Sequence, residues 1–194
     1  MVRATLDNRQ VIQAAAELAD AEGLDAVTLT RVAEILGVRQ PALYRHVRDF
    51  DDLIRSLGLR GRELLAQRLR ESAVGVSGDD AVIAVARAWR GLQKEHPGLY
   101  AATDRYPCAG DAELEAAVEN IVTIIAQALG SFDLTEVDKM HAARSLRSAF
   151  HGFAHLESGD GHPHPHDPDE TFDHLIELLI AGVKSMQIAP VVAR

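Results

Sequence analysis

The sequence predicts an all-α fold, and three observations carry that prediction. Nearly every segment repeats its apolar residues at helical spacing. Several segments end at glycine or proline, as at Gly23, Gly37, Pro97-Gly98 and Gly130, and no alternating run of useful length occurs. No internal repeat interrupts the series.

Taken in order, "NRQVIQAAAELADAEG" places Val11, Ile12, Ala15, Leu18 and Ala19 on one face and stops at Gly23. "VTLTRVAEILG" offers Thr28 as an N-cap, then Leu29, Val32, Ala33 and Leu36, ending at Gly37. A third, short helix spans about Gln40 to Val47, with Pro41 in a first turn that has no use for its missing N–H. A fourth opens near Asp51 and runs through "LIRSLGLRGRELLAQRLRESA". "GVSGDD" reads as a linker. "DAVIAVARAWRGLQKEHPG" is then an amphipathic helix ended by Pro97-Gly98, and "LYAATDRYPCAG" is a short helix or turn. Three longer helices follow, over "DAELEAAVENIVTIIAQALG", "LTEVDKMHAARSLRSAFHGFAHLES" and "DETFDHLIELLIAGVKSMQ". The loop "GDGHPHPHDP" separates the last two. Domains are expected at 1–50 and 51–194.

With 194 residues, 47% hydrophobic and 25% charged, the chain has an ordinary globular composition. A single cysteine, Cys108, excludes an intrachain disulfide. No signal-like apolar run opens the sequence, and the longest clean run, "LLIAGV", is too short to span a bilayer. A cytoplasmic protein without a membrane partner is expected. The formal net charge of -9 is uneven: residues 1–60 hold eight arginines against nine acids, residues 61–194 twelve basic side chains against twenty. The N-terminal third is thus relatively basic, which keeps DNA open as a partner.

Residues 29–50, "LTRVAEILGVRQPALYRHVRDF", explain that imbalance. Two short helices joined by a glycine turn and braced by a preceding helix match a helix-turn-helix. Leu43 and Val47, four apart, face the supporting helices. Pro41, Ala42, Tyr44, Arg45 and part of Gln40 face outward, toward a major groove. Gln40 suits adenine, Arg45 guanine or a phosphate, and Ala42 and Pro41 a thymine methyl. Tyr44, His46 and Arg48 sit toward flanking phosphates, Arg31 and Arg39 add positive potential, and Thr28 and Thr30 suit phosphate at a helix N-terminus.

"TLTRVAEILGVRQPALYRHVRDFDDLI" resembles the DNA-binding segment of the TetR family of bacterial transcriptional regulators. The resemblance rests on Thr28, Val32-Ala33, Gly37-Val38, and Leu43-Tyr44 with His46-Val47, and covers roughly residues 8–55. Gln40, Pro41, Ala42, Tyr44 and His46 match that family's DNA-contacting positions. Two positions depart from the pattern: Phe50, followed by Asp51 and Asp52, stands where relatives often have a phosphate-gripping lysine, and Thr30 where the tetracycline repressor has a base-reading arginine. The resemblance implies a homodimeric repressor that a small molecule releases from a palindromic operator. "KEHPGLY" and "SAFHGFAHLESG" resemble the family's C-terminal domains marked by Trp-His-Gly, here Phe150-His151-Gly152.

The last two helices carry broad apolar faces, Met140, Ala143, Leu146, Ala149, Phe150 and Phe153 on one, Phe172, Leu175, Ile176, Leu179 and Val183 on the other. They are expected both to close the core and to pair two subunits, with half-sites about 34–36 Å apart or a multiple. Trp89, Tyr100, Tyr106, Phe150 and His151 are the candidate lining of a pocket for an unidentified inducer. No cofactor is implied. Three other readings stay open: an all-α binding protein or enzyme using that pocket, a regulator that activates, and a metal-sensing regulator using His162, His164, His166, Asp167 and His174. Against an enzyme, no G-x-S-x-G, H-E-x-x-H, P-loop or dinucleotide fingerprint occurs, and His141, His151 and His155 lack a nucleophile.

Overall fold

A computed structural model describes residues 6–159, 161 and 167–186. Every regular element among them is helical. The α-helices are α1 (Asn8–Glu22), α2 (Leu29–Ile35), α3 (Phe50–Ser72), α4 (Asp79–Glu95), α5 (Pro97–Arg105), α6 (Ala112–Ala128), α7 (Glu136–Ser158) and α8 (Pro168–Ser185). Short 3-10 segments cover Leu24–Ala26 and Gln40–Arg45. The all-α expectation holds throughout the described residues. None of these helices is long and apolar enough to cross a membrane.

The chain gathers into two compact units. One combines the residues up to Leu64 with Glu95–Ala117, the other Leu65–Lys94 with the residues from Val118 onward. In the first unit the termini of the short helices follow from local chemistry. Asp7 and Gln10 form a reciprocal capping box on α1, with bonds of 2.7 and 3.0 Å. Gly23, at φ +88°, ends that helix. The Thr28 side chain accepts from Arg31 N at 3.2 Å and caps α2. Gly37, at φ +64°, makes the turn.

The core of this unit joins Val11, Ala15 and Leu18 of α1 to Val32 and Ala33 of α2, Leu43, Val47, and Leu53 and Leu57 of α3. Leu99 and Ala102 of α5, distant in sequence, belong to the same cluster. Pro97-Gly98 therefore opens α5, where the sequence suggested the end of the preceding helix. The reason is tertiary. A Cβ on Gly98 would lie 2.0 Å from the Ala19 carbonyl, so only glycine lets α5 lie backbone to backbone on α1. Asp20 fixes the crossing: its Oδ1 accepts from Leu99 N at 2.8 Å, and its Oδ2 lies 2.7 Å from His96 Nδ1. Two glycines of α3 admit the other side of α5, since a Cβ on Gly58 or Gly61 would come within 2.8 or 2.9 Å of the Ala102 or Leu99 carbonyl.

Below α5, Arg55 of α3 makes a bidentate pair with Asp111 (2.5 and 2.8 Å) and reaches Glu113 at 2.7 Å. The guanidinium hydrogen bonds hold the Asp111 carboxyl down at about 2.

The second unit is built around Trp89, Phe150 and Phe172, with buried aliphatics such as Ile125, Leu129 and Leu146. Arg90 ties α4 to both later helices. It pairs with Glu157 of α7 at 2.8 and 2.5 Å and with Asp169 of α8 at 2.6 Å, over the rings of Phe153 and Phe172.

Two outcomes are expected. Gly98→Ala should lower stability by about 3 kcal/mol, because backbone rather than a side-chain tip opposes the new methyl. Gly91→Ala, where a Cβ meets nothing within 4 Å, should be neutral or stabilise α4 by about 0.5–1 kcal/mol. Urea midpoints measure both, and a tolerated Gly98→Ala sinks the close-packed crossing. Asp111, depressed below its ordinary value, stabilises the fold fully above about pH 4 and loses that contribution as pH falls toward 2. Melting temperature should therefore drop more steeply in that window for the natural protein than for Asp111→Asn. Parallel curves would remove the pair from the account.

Candidate nucleic-acid interface

The segment Gln40–Arg45 is a 3-10 helix with Pro41 in its first turn, slightly shorter than the span predicted. Its inner side is fixed by Leu43 and Val47, both buried. Its outer side leaves Pro41, Tyr44 and Arg45 exposed and Gln40 and Ala42 half-buried. Tyr44 is 50% exposed, high for a large aromatic ring.

A chain of hydrogen bonds orders that outer side. Thr30 Oγ1 of α2 donates to Gln40 Oε1 at 3.0 Å, and Gln40 Nε2 donates to Tyr44 OH at 3.1 Å. Gln40 thus spends one acceptor site and one N–H on the protein and keeps one of each free. Thr30 holds Gln40 in place, a role that spacing alone does not disclose. Thr28 caps α2, with its side chain exposed.

The arginines divide into two kinds. Arg39 and Arg45 are exposed and make no ion pair among the described residues. Arg31 is clamped on Glu22 by bonds of 2.7 and 2.6 Å, so its charge is cancelled locally, against the expectation that it adds positive potential. Arg48 donates to Asp52 Oδ1 at 2.8 Å, and its own N–H donates to Oδ2 at 2.9 Å. These bonds hold the Asp52 carboxyl below its ordinary range. His46 is half-buried, and its carbonyl accepts from Asn8 Nδ2 at 2.7 Å, tying the end of the recognition segment to the start of α1. Phe50 opens α3 and is exposed.

Of the residues expected to receive a small molecule, the structure brings three together in the second unit. The Trp89 ring lies 6.3 Å from Phe150 and 6.4 Å from His151, centroid to centroid. Trp89 and Phe150 are fully buried and His151 half-buried. Tyr100, buried on α5, and Tyr106, half-buried at its end, belong to the first unit. Gln93, one turn beyond Trp89 on α4, was not singled out from the sequence. It is 4% exposed, and its Oε1 has no hydrogen-bond partner. An amide that far inside a helix face normally finds a donor. A separate cleft of about 340 Å³ is lined by Arg87, Arg90, Lys94, Asp169 and Phe172 among others.

Among the described residues no group of three or more His, Cys, Asp or Glu side chains is placed to hold a metal. His162, His164 and His166 lie outside the described residues. Asp167 caps α8 by accepting from Asp169 N at 2.8 Å, and His174 lies 3.4 Å from Glu177.

An all-α headpiece that buries one side of a short second helix and presents the other to solvent, behind a glycine turn, defines a helix-turn-helix DNA-binding protein. Comparison with known proteins narrows the class. A family model described as "Bacterial regulatory proteins, tetR family" matches residues 11–57, and "Tetracyclin repressor-like, C-terminal domain" matches 82–179. An uncharacterized HTH-type transcriptional regulator of Mycobacterium tuberculosis is 33% identical, covering 93% of this chain and 83% of that relative. A second, from Bacillus subtilis, is 29% identical over 93% and 94% of the two chains. A TetR variant from Acinetobacter baumannii, solved in complex with minocycline, has the same fold, with a TM-score of 0.71 at 22% identity over 95% of this chain and 100% of that one. The chain belongs to the TetR family of transcriptional regulators.

Two substitutions separate ordering from charge. Tyr44→Phe removes the acceptor for Gln40 and should weaken operator binding about fivefold, near 1 kcal/mol, with stability unchanged. Asp52→Asn frees Arg48 and should raise affinity for scrambled DNA while steepening its salt dependence by about one unit of log–log slope. Fluorescence anisotropy reads both; an unaltered slope would place Arg48 away from phosphate.

Proposed function

We infer that the protein is a homodimeric repressor whose operator is read by the Gln40–Arg45 segment and released by a small molecule bound in the second unit. The observation that carries this reading is the hydrogen-bonded series Thr30–Gln40–Tyr44 on the exposed side of a segment anchored by Leu43 and Val47. Its fixed side chains are pre-set for base edges before DNA arrives. Gln40 and Arg45 are assigned to bases, Pro41 and Ala42 to apolar contact, and Tyr44, His46, Arg39, Thr28 and Arg48 to the backbone. Arg48 first has to exchange Asp52 for phosphate.

Pairing through α7 and α8 is supported by what those helices leave uncovered. Leu178 is 72% exposed and Leu156 48%. Ala181 and Gly182 lie exposed beside Leu178, and a Cβ on Gly182 would meet nothing within 4 Å. The remaining apolar stripe, including Leu146, Phe150, Phe172 and Ile176, is consumed by the core. A ligand carrying a hydrogen-bond donor beside an apolar body suits Gln93 Oε1 together with Trp89, Phe150 and His151. Tyr100 and Tyr106 take the part of structural residues of the first unit in this reading.

The test is anisotropy with DNA from immediately upstream of the protein's own gene, at two salt concentrations and beside scrambled competitor. Saturable binding that outlasts the competitor and weakens with salt is expected. Light scattering at micromolar concentration should give twice the chain mass of 21.1 kDa. A monomer, or affinity equal to that for scrambled DNA, overturns the reading.

A further inference from the structure

Among the described residues three polar side chains are buried, Arg62, Thr103 and Gln93. Arg62 and Thr103 belong to the first unit and are bonded there, Arg62 to the Thr103 carbonyl and Thr103 to that of Tyr100. Gln93 stands alone in the second unit and makes no hydrogen bond to any described residue. Its Oε1 is fully covered without a partner. Its Nε2, equally unpaired, is not fully covered, so the carboxamide keeps a reachable edge. An amide in this state costs stability, because folding strips it of water and returns no bond. Its buried neighbours on α4 are all apolar: Ala81, Val82, Val85, Ala86, Trp89 and Leu92. A methionine would fill the same place with nothing left to satisfy.

We propose that the ligand of the second unit carries a neutral cis-amide edge on an apolar body, as a lactam or cyclic imide does, and that Gln93 selects it. This compound is the releasing small molecule inferred above, and its assignment as a regulator's ligand rests on that reading. Its class follows from what the Gln93 amide still has to give. A planar N–H beside a C=O donates to Oε1 and accepts from Nε2, closing a ring of two parallel hydrogen bonds. A carboxylate brings acceptors alone and sets its charge against Oε1. An ammonium ion brings donors, but no acid is among the buried side chains of the described residues to offset its charge. The cation nearest in sequence on the inner turns, Arg90, is already spent on Glu157 and Asp169. A neutral amide is the partner that satisfies both atoms without burying a charge.

Trp89, four residues before Gln93 on α4, is the chain's one tryptophan and reports on the site by fluorescence. The full-length protein is titrated with 2-quinolinone and with N-methyl-2-quinolinone, the same rings without the N–H, by calorimetry and Trp89 emission. The N–H compound is expected to bind about tenfold more tightly or better, since a site built for a donor rejects the analogue that lacks it. Gln93→Met, of similar volume, should bind both compounds alike and melt at or above the temperature of the natural protein. Equal affinities in the natural protein overturn the proposal. So does a Gln93→Met that melts lower, because the amide is then satisfied within the fold. Binding of neither compound overturns it as well, a bound water then sufficing for the amide. Release of the upstream DNA is read separately. A protein that discriminates the two compounds yet never binds the DNA, or never lets it go, removes the regulator reading and upholds the amide site.

Discussion

The DNA-reading unit depends on a backbone-to-backbone crossing, Gly98 of α5 against Ala19 of α1. Side chains do not mediate it, so it has almost no tolerance, and its angle is fixed by Asp20, which caps α5 from α1. With that crossing go the burial of Leu99 and Ala102 and the need for glycine at 58 and 61. The recognition segment itself is short, and its place is set by two buried side chains. Leu43 and Val47 hold it against α1, α2 and α3, and those helices hold one another partly through α5.

Charge plays a smaller part at the interface than its arginine content suggests. Glu22 and Asp52 neutralise Arg31 and Arg48, leaving Arg39 and Arg45 as outward cations. A chain with a net charge of -9 gains little from general attraction to a polyanion. In the proposed reading, discrimination falls to hydrogen-bond geometry, and the Thr30–Gln40–Tyr44 series is the ordered part of that face. The threonine that departs from the tetracycline repressor's pattern thereby has a positive role: from the neighbouring helix it orients Gln40, the side chain proposed to meet a base.

What the sequence disclosed was local. Thr28, Gly23, Gly37 and Pro41 declare helix ends through their own side-chain or backbone chemistry, and Leu43 and Val47 declare an inner face through their spacing. The Arg48–Asp52 pair, four residues apart, was also within reach of such reasoning. Gly98 was not, because the atom that excludes a methyl there belongs to a residue 79 positions earlier. Arg62 of α3 looks like any solvated helix cation, yet the fold leaves it 5% exposed with its Nη2 donating to the Thr103 carbonyl and to Cys108 Sγ. Gln93 reads as a polar break in an apolar stripe, and only burial shows that its carboxamide has no donor. Of the five pocket candidates, Trp89, Phe150 and His151 cluster because α4 and α7 place them so, whereas the two tyrosines are carried by α5 into a different unit.

The DNA-reading unit is interrupted by Leu65–Lys94, which belong to the other unit. That interruption sets an order for synthesis. A nascent chain that has just released its helix-turn-helix from the ribosome still lacks Leu99 and Ala102, and it must make some thirty intervening residues before α5 can dock. Closing that loop costs about 3 kcal/mol of chain entropy, recovered only when the glycine crossing forms. The first helices to emerge therefore complete their core only after α5 has followed them.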